Sequence, residues 1–169
     1  MKTDCTAKIL ELEALLTLRE AYRRNGRTMV WTNGCFDLLH AGHVRSLRAA
    51  SEFGDVLVIG LNSDDSVRQL KGPKRPILPE RDRAEMLAAL ECVDHVVIFP
   101  DLTPIQILDA VRPDVHCKGM EYAPPRGLPI PEQTVIEAYG GRVMFLPLLP
   151  GISTTELIDR IRSIEAGDE

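Results

Sequence analysis

The sequence predicts an α/β protein built on a doubly wound, parallel sheet of five strands with helices on both faces. Three observations predict it. Short apolar runs alternate with stretches of helical periodicity along nearly the whole chain. The clearest run, Val56 to Leu61, is continuously apolar, as in a strand covered on both faces. The loops after the runs hold nearly every unusual residue, and open parallel sheets bind ligands at the carboxyl ends of their strands. A chain of 169 residues is one ordinary domain, long enough to bury a core.

In order, residues from about Lys8 to Arg24 carry Ile9, Leu12, Leu15, Leu16 and Tyr22 at mostly helical spacing, and Asn25-Gly26 ends that helix. Residues 1–26 are therefore expected to form a helical extension packed on a domain running from 27 to 165. Thr28 to Thr32 reads as the first strand, ending in Asn33-Gly34, and Gly42 to Phe53 as a helix stopped by Gly54-Asp55. Val56 to Leu61 is the second strand, after which Asn62-Ser63-Asp64 caps a short helix to about Leu70. Lys71 to Pro76 is a loop, Glu80 to Glu91 a helix and His95 to Phe99 the third strand. Pro104 to Val111 is a helix with proline in its first turn, and Asp114 to Lys118 the fourth strand. A proline-rich loop leads to a helix from about Pro131 to Tyr139; Gly140-Gly141 stops it before the fifth strand, Arg142 to Leu146. Ser153 opens a last helix running to about Ile164.

Composition narrows the function. Twenty Lys and Arg against 25 Asp and Glu give a net charge of −5 with no basic stripe, so nucleic acid is not an expected partner. Small phosphorylated substrates need only a local cationic pocket. The longest apolar runs are strand-length and the N-terminus lacks the apolar stretch of a signal peptide, which predicts a cytoplasmic protein with no membrane contact. Four scattered cysteines without a C-x-x-C pair suggest neither a zinc site nor a disulfide framework.

Four constellations carry chemistry. The first is Thr32-Asn33-Gly34-Cys35-Phe36-Asp37-Leu38-Leu39-His40-Ala41-Gly42-His43, a strand running through a glycine loop into a helix start. Free N–H groups and the positive end of the helix dipole favour an anion there. His40 and His43 are spaced to share one helix face, ~5–6 Å apart at Cβ, and Gly42 lets backbone approach a ligand. This suits a phosphate gaining charge in a transition state; a metal pair and two purely structural histidines are the other readings. No G-x-G-x-x-G or G-x-x-x-x-G-K-[ST] is present.

The second is Ser153-Thr154-Thr155-Glu156, a capping box whose hydroxyls and N–H groups fall on the same sheet edge and could hold distal phosphates. The third, Lys71-Gly72-Pro73-Lys74-Arg75-Pro76 with Arg83 on the next helix, is either a solvated charge cluster or the cationic clamp that phosphoryl chemistry needs. The fourth, Cys117-Lys118-Gly119-Met120-Glu121-Tyr122, is either an ordinary turn or a loop reaching a sugar or ribose.

Together, G-C-F-D-L-L-H-A-G-H and I-S-T-T resemble the cytidylyltransferase-like nucleotidyltransferases, relatives of the HIGH-motif synthetases with a Rossmann-like fold. N-S-D, L-K-G-P-K-R-P, V-D-H-V, R-P-D-V-H-C-K-G and A-Y-G-G, between about Lys8 and Arg162, resemble the branch that makes ADP-heptose from ATP and D-glycero-β-D-manno-heptose 1-phosphate. The resemblance implies that His40, His43 and Lys71 are catalytic. It implies that Thr32, Gly34, Cys35, Phe36, Gly42, Lys118, Gly119, Glu121, Ser153, Thr154 and Thr155 bind the nucleotide. Asn62, Asp64 and Arg83 would bind substrate, Arg83 supporting the phosphate pocket, and Asp37 would orient the loop or contact substrate or metal. Mg²⁺ would come with ATP, held mainly by phosphate oxygens and water. A homodimer is expected, and so is a separate kinase and phosphatase to supply the heptose 1-phosphate.

Two departures stand out. The heptose branch usually reads K-G-G-D-Y where this chain has Lys118-Gly119-Met120-Glu121-Tyr122, which would place the bulk of Met120 beside the nucleotide. The glycerol 3-phosphate branch usually carries R-T-x-G-I-S-T-T, against Leu148-Leu149-Pro150-Gly151-Ile152-Ser153-Thr154-Thr155 here. The alternatives are a CTP-dependent enzyme for glycerol 3-phosphate or a similar alcohol phosphate, and a nucleotide-binding module without turnover.

Overall fold

Five strands, β1 (Met29–Gly34), β2 (Val56–Asn62), β3 (His95–Phe99), β4 (Val115–Gly119) and β5 (Arg142–Leu146), pair in parallel in the order β3-β2-β1-β4-β5. The computed structural model describes residues 4–125, 127–147 and 152–166. Helix α1 (Leu12–Arg24) precedes β1; α2 (Ala41–Ser51), α3 (Asp64–Lys71), α4 (Glu80–Ala88), α5 (Ile105–Val111) and α6 (Gln133–Ala138) run between the strands, and α7 (Thr154–Ala166) follows β5. The sheet and its two helical layers match the fold class read from the sequence. No helix among the described residues is long and apolar enough to cross a membrane.

Side chains alternate between the two faces of each strand, which is why the runs are apolar throughout. Val30, Leu57, Ile59, Leu61, Val96, Val115 and Cys117 pack with Leu47 and Ala50 of α2 and Ala84, Leu87 and Ala88 of α4. Met29, Trp31, Val56, Val58, Val97 and Phe99 pack with Leu15 of α1, Ile107, Leu108 and Val111 of α5 and Ile136 of α6. Gly60 lies beneath the Trp31 ring, where a Cβ would stand 2.2 Å from Trp31 Cζ2.

Three aspartates set the register at the amino ends of the strands. Asp55, Asp94 and Asp114, each just ahead of β2, β3 and β4, accept the N–H of Thr28, Leu57 and Met29 at 2.7 Å each. Buried Arg19 of α1 adds bonds of 2.8 Å to both oxygens of Asp114.

The first helix departs from expectation. Cys5–Lys8 is a 3-10 turn capped by Asp4, and the chain then extends so that Ile9 bridges Val96 and Leu10 N–H donates to Val96 O at 2.9 Å. Lys8 Nζ donates to the carbonyls of Val93 (2.7 Å) and Leu90 (3.2 Å). The segment thus covers the open edge of β3, a pairing that competes with helix there. At the other differing ends, α4 stops at Ala88 and α6 starts at Gln133 because Glu132 is its N-cap. Leu148 to Gly151 lie outside the described residues.

Candidate active site

The sheet order reverses between β1 and β4, and a cleft of about 830 Å³ opens there at the carboxyl ends of the strands. Of the residues expected at the site, Thr32, Gly34, Cys35, Phe36, Asp37, His43, Asn62, Lys71, Lys118, Gly119, Glu121, Thr154 and Thr155 line it. His40, Gly42, Asp64, Arg83 and Ser153 support the wall from outside.

The histidines meet because of a helix start. His40 is the N-cap of α2, and its Nδ1 accepts the N–H of His43 at 3.4 Å. That bond makes Nδ1 the acceptor, so a neutral His40 carries its proton on Nε2. The two rings stack at 3.8 Å with 21° between planes, and Phe36 meets His43 edge-on at 5.1 Å. Burial lowers the His40 pKa, opposed by Glu156; burial and then the neighbouring His40 bring His43 down to about 4. Both rings are therefore neutral donors at neutral pH. Gly42 is needed because a Cβ would stand 2.9 Å from His40 Nδ1 and Cε1, and 3.5 Å from Ile152 O. The approach of Ile152 joins the start of α2 to the segment that opens α7. There Glu156 N–H donates to Ser153 Oγ at 3.1 Å, which leaves Thr154 and Thr155 on the cleft.

The loop between β1 and α2 is held from behind. Phe36 takes a left-handed conformation (φ 44°), uncommon for a non-glycine residue. Asp37, 1% exposed, is paired with Arg75 and accepts the N–H groups of Ile77 (2.7 Å) and Leu78 (3.1 Å). Arg83, also 1% exposed, donates to the Cys35 carbonyl, to Leu78 O at 3.0 Å and to Asp64 Oδ1 at 2.8 Å. Asn62 donates to Ser66 Oγ at 2.9 Å. Asp37, Asp64 and Arg83 thus form a scaffold joining the glycine loop, the basic loop and α4, while Asn62 ties the end of β2 to α3. Lys71 has no ion pair among the described residues; together with Lys74, Arg75 and Arg162 it borders a second hollow of about 240 Å³ against Thr155.

The opposite wall departs from expectation. Lys118 does not stand as a free cation: its Nζ donates to Glu132 Oε1 at 2.7 Å and lies 4.4 Å from the Tyr122 ring centre. Glu132 is 1% exposed and also meets His116 Nε2 at 3.2 Å. Burial pushes the Glu132 carboxyl up, but the bonds from His116 and Lys118 outweigh it and bring it down to about 2. Burial keeps His116 neutral, so the contact is a hydrogen bond from an imidazole N–H to a carboxylate. Met120, expected beside the nucleotide, is 53% exposed and does not line the cleft; its neighbours Gly119 and Glu121 do. The 3-10 turn of Met120–Tyr122 directs it outward. Sequence reading missed Glu132 and Asn33, whose buried Oδ1 has no partner among the described residues and whose residue lines the cleft. Asn33 stands in the first constellation with no role of its own there, and Glu132 stands in no motif that the spacing singles out.

The family model described as cytidylyltransferase-like matches residues 31–160. The chain belongs to the cytidylyltransferase-like family. It is thus a nucleotidyltransferase. It is 50% identical over 155 residues to the bifunctional protein HldE of Syntrophotalea carbinolica, covering 92% of this chain and 31% of that protein. It is 49% identical over 160 residues to the bifunctional protein HldE of Geotalea uraniireducens, covering 95% of this chain and 32% of that one. The chain thus spans about a third of the length of these curated relatives. Among solved structures, the lipopolysaccharide core biosynthesis protein of Thermoplasma volcanium superposes with a TM-score of 0.59 at 27% identity, over 73% of this chain and 98% of that one.

Proposed function

We propose that the protein transfers AMP from ATP to D-glycero-β-D-manno-heptose 1-phosphate, giving ADP-heptose and pyrophosphate. The observation that carries the reading is the neutral, stacked His40–His43 pair at the start of α2, of which His43 lines the cleft shared by Lys71, Thr154 and Thr155. In the proposed reaction a phosphate oxygen of the sugar attacks the α-phosphorus of ATP, and the bond to the pyrophosphate oxygen breaks. His43, and His40 through Nε2–H, donate to the α-phosphate oxygens as charge grows on them. Thr154 and Thr155 receive the β- and γ-phosphates at the start of α7, and Lys71 neutralises them. Asp37 and Glu132 are already paired with Arg75 and Lys118, and Mg²⁺ would come with ATP, coordinated by its phosphate oxygens. Bound there, it supplies charge neutralisation to the leaving pyrophosphate.

The acceptor is supported by the near-half identity to HldE proteins and by the motifs of the heptose branch. We propose further that the enzyme is a cytoplasmic homodimer and that a kinase and a phosphatase supply its acceptor. The test is pyrophosphate release with Mg²⁺, pairing ATP or CTP with heptose 1-phosphate or glycerol 3-phosphate. Turnover with ATP and the heptose alone is expected. Turnover with CTP moves the protein to the alcohol-phosphate branch, and no turnover with any pair overturns the reading.

A further inference from the structure

We infer that Glu132 determines specificity by binding hydroxyl groups of a sugar ring, with Lys118 and His116 holding its carboxylate in place. The inference rests on reading the cleft as a nucleotidyl-transfer site and assigns its second half, which the phosphate chemistry leaves unused.

The cleft has two unlike ends. At one, Lys71 and the threonines of α7 face neutral histidines, a setting for phosphate oxygens. At the other, the charge of Lys118 is cancelled by Glu132 at 2.7 Å, so that end offers phosphate no net attraction. A buried carboxylate accepts hydrogen bonds and cannot donate them, which repels phosphate oxygens and welcomes O–H donors. Its placement is built from the sheet upward. His116 and Lys118 are two apart on β4 and so point to one face, where Glu132, the N-cap of α6, lies over both. Both donors converge on Oε1. Glu132 nevertheless lines the cleft, beside the rings of Tyr122, Pro129 and Pro131. A ring face with a carboxylate at its edge suits a polyol. Two sources supply such hydroxyls: the ribose of the nucleotide and the acceptor sugar.

Calorimetry on the whole chain separates them without turnover. Wild type and Glu132→Gln are titrated with ATP, 2′-deoxyATP and 3′-deoxyATP. Heptose 1-phosphate is titrated in the presence of α,β-methylene ATP, whose α–β bridge cannot be cleaved. If Glu132 takes ribose hydroxyls, wild type binds ATP about ten- to a hundredfold more tightly than at least one deoxy form, and the variant loses that preference. If it takes acceptor hydroxyls, the ATP series is unaffected and the variant binds heptose 1-phosphate about ten- to a hundredfold more weakly. Unchanged discrimination among the nucleotides together with unchanged acceptor affinity overturns the inference. Loss of ribose discrimination in a protein that turns over no acceptor keeps the inference and sinks the proposed reaction. Thermal melting checks the fold of each variant; should Glu132→Gln not fold, Glu132→Asp, which withdraws the carboxylate by a methylene, carries the same comparison.

Discussion

Asp37 and Arg75, 38 positions apart, form an ion pair whose carboxylate is sealed from solvent and whose guanidinium is four-fifths buried. It fastens the glycine loop after β1 to the basic loop after α3, so one contact sets the distance between the histidines and the cationic wall. Asp37→Ala is expected to cost about 2–4 kcal/mol, somewhat below a fully buried pair because Arg75 keeps partial access to water. Asp37→Asn should recover part of that by keeping an acceptor for the N–H groups of Ile77 and Leu78. Urea denaturation measures both; equal losses would mean that the charge alone matters.

Arg83 is the second fastening. Arg83→Met leaves the Cys35 and Leu78 carbonyls and the Asp64 carboxylate without their donor, an expected loss of about 3–5 kcal/mol. Arg83→Lys should not restore it, because an ammonium cannot reach three acceptors in one plane. Recovery of stability in the lysine variant would contradict the fork geometry.

His43 gives a pH signature. Its folded pKa, about 4, lies below the ordinary 6.5, so it favours folding above 6.5, and that contribution disappears as pH falls towards 4. A phosphate placed against the ring raises its pKa, so ATP binding between these values should take up a proton. Calorimetry at pH 5.5 in buffers of different ionisation enthalpy reads the uptake directly, and zero uptake would separate His43 from the phosphates. In turnover, His43→Ala should lower kcat by about 10²–10³ while leaving ATP affinity nearly intact.

Two glycines divide stability from catalysis. Gly60→Ala drives a methyl into the Trp31 ring and should destabilise by about 1–3 kcal/mol or more. Gly42→Ala meets the His40 ring first, so it should lower turnover well beyond its effect on melting temperature. Equal effects of both substitutions on melting would show that His40 cannot yield.

Met120→Gly should leave the KM for both substrates within about twofold, since the side chain is 53% exposed outside the cleft. A large shift in either KM would require this turn to fold over the site when substrate binds.

The sheet was legible in the chain because a strand buried on both faces has to be apolar at every step, and Val56 to Leu61 is. The first helix was misread at its start because Ile9 has an apolar side chain whether it joins a helix or pairs with Val96. The histidine pair could be found because its geometry is local, three residues along one helix start. The partners that hold Asp37, Asn62 and Arg83 could not, because Arg75, Asp101 and Cys35 reach them only through the fold. Glu132 escaped for the same reason: its bonds to His116 and Lys118 exist only once α6 has settled on β4.

The three aspartates ahead of β2, β3 and β4 hold the strands from the end of the sheet remote from the cleft. Strand alignment is therefore secured without help from the loops that carry the chemistry. An exposed loop residue such as Met120 can therefore be replaced without shifting one strand against another. A change at an exposed loop position such as Met120 is thus judged by catalysis alone, whereas one at Asp37 or Arg75 is judged by folding as well.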